Sequence, residues 1–154
     1  MIERIYFYRV DPQGNLYFQD SLLTDKNFLN FFFNQIQYNT TGKYKNYKYI
    51  SPCGKEMNFI ECTDTPIVFR KLEEGNLVYA GDLKIPFYRE NLVYLAQNSQ
   101  LYYKFINKKK QTLYGRIGKH LLQEMAMWIT INNEEIFFKD LPIKSYKTLS
   151  DLFL

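Results

Sequence analysis

The fold class is decided first by one stretch near the start of the chain, Glu3-Arg4-Ile5-Tyr6-Phe7-Tyr8-Arg9-Val10-Asp11-Pro12-Gln13-Gly14-Asn15-Leu16-Tyr17-Phe18-Gln19. Its two outer parts are rich in the aromatic and β-branched residues that strands favour. The four residues between them carry proline and glycine at positions that tight turns favour. The stretch therefore predicts a β-hairpin with strands at 3–10 and 15–19.

A helix is predicted directly after this hairpin. Thr24 or Asp25 can cap its first turn, because a short polar side chain accepts a hydrogen bond from the backbone N–H groups there. The apolar residues that follow recur at helical spacing, and they are Phe28, Leu29, Phe32, Phe33 and Ile36. We therefore expect one helix that covers a face of a sheet.

The rest of the chain predicts mainly short strands separated by turn residues. These strands are expected at 47–52, 57–62, 66–72, 77–80, 84–88, 101–106, 113–119, 125–131 and 135–139. A short second helix is predicted at 90–97, and 120–127 is compatible with a helix as well as a strand. No linker or repeat divides the chain. We expect one α+β domain over residues 1–154, with a mostly antiparallel sheet built from hairpins, one helix on a sheet face and a second short helix.

Composition narrows the functional classes without selecting one. A net charge of +4 and a pI of about 8.9 indicate only a weak attraction to polyanions. Aromatic residues make up 18% of the chain, so several are expected at the surface, where they suit partner contacts; an AT-rich genome would give the same bias.

No run approaches the roughly 18 apolar residues of a membrane span. The first residues alternate like a strand, so any targeting presequence is expected to be absent or already removed.

The two cysteines lie in a segment, residues 51–66, that also holds carboxylates and a turn. Three functional interpretations are open: a metal site at Cys53 and Cys62, a redox pair of the same residues, or a nucleophile at Cys53 supported by Asp64 or His120. The cysteines lack the Cys-x-x-Cys spacing of zinc ribbons, and the only histidine is distant in sequence. The alternative is a pair of buried apolar cysteines beside a turn, in a reduced compartment.

A basic and aromatic segment at 43–49 is the candidate surface for RNA or another partner. Its candidate residues are Lys43, Lys45, Tyr47, Lys48 and Tyr49. Lysine amines can contact phosphates, and tyrosine rings can stack on unpaired bases. The alternative is a solvated loop followed by a strand whose lysines protect a sheet edge. Residues 115–119 lack most of a phosphate-binding loop, so no cofactor is predicted.

A family resemblance rests on residues spread over about the first 100 positions. These residues are Tyr6-Phe7-Tyr8, Val10-Asp11, Gln13-Gly14, Asn39 to Tyr44 with Gly42, Ser51-Pro52-Cys53-Gly54, Glu56, Asn58-Phe59, Cys62, Asp64, Pro66 and Val68-Phe69, followed more weakly by Tyr79, Pro86-Phe87, Leu95-Ala96, Asn98 and Leu101-Tyr102. On them the chain resembles uncharacterised protein family 0598, also called domain of unknown function 4505. The resemblance implies a eukaryotic protein that works in mitochondria, and it carries over no catalytic residue.

Three hypotheses of function follow. The first is a non-catalytic accessory subunit or assembly factor of a larger mitochondrial complex, whose partners are other protein subunits. The second is an RNA-binding or ribosome-associated module that uses segment 43–49. The third is a small thiol-dependent enzyme that uses Cys53.

Overall fold

Residues 4–133 and 135–152 are described in the computed structural model, and strands dominate them. Glu3, the predicted first residue of the opening strand, lies outside the described residues. The strands are β1 (Arg4–Val10), β2 (Leu16–Phe18), β3 (Ser21–Leu22), β4 (Gln37–Tyr38), β5 (Tyr49–Cys53), β6 (Glu56–Glu61), β7 (Val68–Phe69), β8 (Lys71–Glu73), β9 (Asn76–Tyr79), β10 (Leu83–Pro86), β11 (Leu92–Leu95), β12 (Gln100–Ile106), β13 (Thr112–Ile117), β14 (Ile129–Asn132), β15 (Glu135–Phe138), β16 (Leu141–Pro142) and β17 (Lys144–Tyr146). The α-helices are α1 (Lys26–Asn34), α2 (Lys119–Met125) and α3 (Leu149–Leu152).

The predicted opening hairpin is confirmed. Strands β1 and β2 pair antiparallel, with Val10 opposite Leu16. The Asp11 carboxylate closes the turn, because its Oδ1 accepts hydrogen bonds from the backbone N–H groups of Gln13 at 3.0 Å and Asn15 at 2.9 Å. The hairpin belongs to a six-stranded sheet in the order β3-β2-β1-β6-β5-β4. Its central pair, β1 and β6, is parallel. This is possible because α1 carries the chain across the sheet, from the edge strand β3 to the opposite edge strand β4.

Helix α1 covers a face of this sheet, as predicted. Asp25 caps it, since its Oδ2 accepts from the Phe28 backbone N–H at 2.8 Å. Phe32 and Phe33 are buried beneath the helix. The Ser51 hydroxyl of β5 donates to the Phe32 carbonyl at 2.6 Å, which ties the helix to the sheet.

The second large sheet has five strands in the order β17-β11-β12-β13-β7. The predicted strand at 66–72 is split: β7 pairs parallel with β13 in this sheet, whereas β8 joins a separate sheet with β9 and β10. The strand predicted at 125–131 begins only at Ile129. The stretch before it forms α2, whose Leu121 and Met125 are buried one helical turn apart, and then a 3-10 turn at Ala126–Trp128.

The helix predicted at 90–97 is wrong. Residues 89–91 form a single 3-10 turn, and β11 follows it and pairs antiparallel with β12. Leu92 faces the main core, whereas Val93 and Leu95 face a second apolar cluster on the other side of the sheet. A strand that is buried on both faces loses the polar alternation that marks a strand in sequence.

The second apolar cluster determines where the candidate site lies. Val93, Leu95, Tyr102 and Leu152 form its buried part, so α3 packs on the outer face of the five-stranded sheet. The described residues therefore form an α+β fold of mostly antiparallel sheets with a few short helices. No helix in the described ranges is long and apolar enough to cross a membrane.

Candidate functional site

A cleft of about 1300 Å³ lies where the edge of the six-stranded sheet, the outer face of the five-stranded sheet and α3 come together. Its lining residues are the lysines 45, 48 and 104, the tyrosines 38, 47, 49 and 114, the neutral polar residues Asn39, Thr40, Gln111, Thr112 and Ser150, and Gly42, Leu149 and Leu152. None of the described lining residues is acidic. We call this the basic cleft.

The floor of the basic cleft is the outer face of β12 and β13. The antiparallel register places Lys104 opposite Tyr114 and, one pair further along the same face, Tyr102 opposite Arg116. Lys104 is exposed. The floor therefore presents a cation beside an aromatic ring.

One wall of the cleft is the loop 39–48, which the side chain of Asn39 holds in shape. Its Nδ2 donates to three backbone carbonyls, those of Lys43 at 2.9 Å, Tyr44 at 3.2 Å and Tyr47 at 2.8 Å. Its Oδ1 accepts from the Thr41 N–H at 3.1 Å. One side chain thus substitutes for the ladder of hydrogen bonds that an irregular loop lacks.

Aromatic packing fixes the same loop onto the six-stranded sheet. The ring of Tyr44 lies 5.0 Å from that of Phe7 and 4.9 Å from that of Phe59, and the ring of Tyr47 lies 5.2 Å from that of Phe7. Tyr49 is buried at the start of β5, with its ring stacked on Tyr38 at 5.4 Å. These tyrosine rings therefore build the wall, and the lysines of the loop carry its charge.

Four of the five candidate residues of segment 43–49 line the basic cleft, and one lies outside it. Lys45, Tyr47, Lys48 and Tyr49 line the basic cleft, whereas Lys43 does not. No described carboxylate forms an ion pair with a lysine of the cleft. Sequence reasoning missed the residues that β12, β13 and α3 contribute, because only the fold brings them to the loop.

A buried polar network anchors the far end of the floor. The Asp64 carboxylate forms an ion pair with Arg116, whose Nε lies 2.9 Å from Oδ2, and it also accepts a hydrogen bond from the Tyr102 hydroxyl. Burial and the nearby Asp64 carboxylate raise the pKa of Tyr102 to about 12, so this hydroxyl stays protonated and donates. Asn98 donates to the same hydroxyl at 3.0 Å. The Asp64 carboxylate thus links the loop after β6 to strands β12 and β13.

The three candidate groups of a thiol enzyme are not assembled. Cys53 ends β5 opposite Glu56, at the turn of the β5–β6 hairpin, while Asp64 follows the other end of β6. His120 is exposed on α2. Cys62 also lies at the end of the hairpin away from Cys53, so a disulfide or a metal ion shared by both cysteines does not fit this fold.

We expect both thiols to react slowly with iodoacetamide at neutral pH. Burial raises the pKa of Cys53 and raises that of Cys62 to about 12, so the reactive thiolate is scarce below the ordinary thiol pKa of ~8.5. Peptide mass spectrometry of timed samples should show Cys53, which is less buried, alkylated before Cys62. Rapid alkylation of Cys53 at slightly acidic pH would contradict this and support the thiol-enzyme hypothesis, which stays a prediction.

Two solved structures share the fold. A DUF1285 family protein from Silicibacter pomeroyi DSS-3 aligns with a TM-score of 0.63 at 10% identity, over 99% of this chain and 87% of that chain. A DUF1285 family protein from Shewanella baltica OS155 aligns with a TM-score of 0.57 at 11% identity, over 78% of this chain and 90% of that chain. At such identities the likeness concerns the fold alone.

A family model covers nearly the whole chain. It matches residues 2–145, which include the loop 39–48 and the floor strands β12 and β13 but not α3. The chain therefore belongs to the family of the domain of unknown function DUF4505.

Proposed function

We propose that this protein is a non-catalytic accessory subunit or assembly factor of a larger mitochondrial complex, and that its basic cleft holds a polyanionic part of that complex. The observation that carries the proposal is the charge of the cleft, where Lys45, Lys48 and Lys104 converge and no described lining residue is acidic. The mitochondrial location is part of the proposal, and only the family resemblance supports it.

The arrangement of the lysines favours a ligand with several negative charges. Two of them lie on the wall and one on the floor of a cleft of about 1300 Å³, so a ligand with negative charges at several points suits all three. Each exposed contact is weak in water, since two unit charges about 4 Å apart gain only about 1 kcal/mol there. Useful affinity therefore requires several contacts at once, which a chain of phosphates or sulfates provides.

Charge reversal at Lys48 should weaken polyanion binding about tenfold, because it removes one attraction and adds one repulsion. The measurement is a heparin titration at low salt, followed by intrinsic fluorescence, of the unmodified protein and the Lys48→Glu variant. Lys43→Glu is the matched control, because Lys43 lies in the same loop but outside the cleft. Equal losses in both variants, or no binding of heparin at low salt, would overturn the assignment of the cleft.

The proposed role as an accessory subunit has a separate test. Mitochondria are solubilised gently and separated by size, and the protein is detected by mass spectrometry. Co-migration with one large assembly is the expected result. Elution near the monomer mass of 18.6 kDa would contradict the subunit assignment, and absence from mitochondria would contradict the location.

A further inference from the structure

We infer that the polyanion held in the basic cleft is single-stranded RNA, an assignment that rests on the proposed function of the cleft. The lysines contact phosphates, and the neutral polar side chains of the lining contact riboses and base edges.

The size of the cleft favours a segment of a polymer. Its volume is about 1300 Å³, whereas pockets for small molecules typically measure about 300–1,000 Å³. It is also open to solvent rather than enclosed, so a chain can enter without threading through the protein. A short stretch of an extended strand fits this shape better than one compact ligand.

The neutral lining favours a nucleic acid over an acidic peptide. Thr40, Thr112 and Ser150 each bring a hydroxyl, which both donates and accepts hydrogen bonds. The Gln111 Oε1 atom already accepts from the Tyr38 N–H at 3.0 Å, which orients this amide in the cleft. The carboxylate side chains of an acidic peptide only accept, so only its backbone N–H groups could donate to these hydroxyls. Base edges and the ribose 2′-hydroxyl present donors as well as acceptors.

The placement of the lysines favours a single strand over a duplex. Lys45 and Lys48 approach from the wall and Lys104 from the floor, so the charges surround a bound chain on two sides. A duplex carries its phosphates on the outside of a wide cylinder and can meet only one of these sides. A single strand can expose its backbone to both.

Stacking on the predicted tyrosines contributes little to this recognition. The rings of Tyr47 and Tyr49 pack against other rings of the protein, and the half-buried Tyr114 lies opposite Lys104 on the floor. Binding should therefore depend mainly on phosphates and show weak sequence preference.

The test measures the salt dependence of binding by fluorescence anisotropy. The probes are a labelled uridine-rich RNA oligonucleotide, its deoxyuridine counterpart, the same RNA in a duplex, and polyglutamate of equal charge. Three phosphate contacts at roughly 0.7 each predict a slope of log K against log salt of about −2. We expect Lys104→Ala to reduce this slope by about 0.7 and Lys43→Ala to leave it unchanged.

The outcomes separate the RNA assignment from the proposed function. Binding in the order RNA, then DNA, then duplex and polyglutamate supports the inference, because the hydroxyls of the cleft distinguish the 2′-hydroxyl. Equal binding of polyglutamate, the duplex or the deoxyuridine strand would overturn the RNA assignment while the polyanion cleft stands. Failure to bind any of the four probes at low salt would overturn both.

Discussion

The variant Asp64→Asn should lower the free energy of unfolding by about 3–5 kcal/mol, the usual loss when one partner of a buried ion pair is removed. The Asp64 side chain is only 7% exposed and that of Arg116 only 16%. The substitution leaves the guanidinium without a counter-charge in a poorly hydrated site. It also removes a charged acceptor from the Tyr102 hydroxyl. Urea unfolding should show a lower midpoint with an unchanged m-value.

The chain offers a matched control for this ion pair. Asp82 pairs with Lys26 at 3.4 Å, but both side chains are more than half exposed, at 52% and 62%. Asp82→Asn should therefore shift the urea midpoint far less than Asp64→Asn, because water screens an exposed pair. Adding Arg116→Met to Asp64→Asn should recover part of the loss, since it removes the unpaired charge. Equal midpoints for the two single variants would contradict this account of the buried network.

The variant Gly115→Ala should destabilise the fold by about 3 kcal/mol, at the upper end of overpacking. A Cβ atom at this position would collide with the ring of Phe69 and lie 2.9 Å from the Ile67 Cγ2 atom. The Phe69 ring cannot move aside, because it is fully buried and packs against the rings of Tyr79 and Tyr103 at 5.3 and 5.9 Å. For a chain of this length the midpoint of thermal unfolding should fall by roughly 6–12 °C.

Gly54→Ala is the comparison for this strand glycine. No atom lies within 4 Å of a Cβ built there, so only its positive φ of +61° opposes the new side chain. That conformation costs roughly 1–2 kcal/mol for an alanine. Gly115→Ala should therefore melt at the lower temperature. The reverse order would show that the contact between β13 and β7 is looser than described.

The elements that the sequence predicts well are those with a local cause. The turn at 11–14 closes through Asp11, and α1 begins at the Asp25 cap, and both signals lie within a few residues. The strand β11 has no such local signal. Its burial on both faces depends on α3, which lies more than fifty residues further along the chain. Gly115 lies within the paired part of β13 and makes room for Phe69, a tertiary contact that has no local signal in the sequence.

The candidate site likewise has a part that the sequence predicts and a part that only the fold brings together. The charge of the loop 39–48 can be predicted, because Lys45 and Lys48 are neighbours in sequence. The RNA hypothesis used the rings of Tyr47 and Tyr49 to stack on bases, whereas the ring of Tyr47 packs against Phe7 and Phe59 and that of Tyr49 stacks on Tyr38. Lys104 could not be assigned to the site, since its place depends on the pairing of β12 with β13 and on the docking of the loop beside them. Tertiary packing thus decides which charges converge.

The most direct test of the central claim is a lysine footprint of the unmodified protein with and without heparin. A water-soluble acetylating reagent modifies exposed lysines, and peptide mass spectrometry reports the extent at each position. We predict that heparin protects Lys45, Lys48 and Lys104 together, while Lys43 in the same loop and Lys71 on a different sheet stay as reactive as in its absence. Uniform protection of all exposed lysines, or protection of the loop without Lys104, would contradict the assignment of this cleft as the polyanion-binding site.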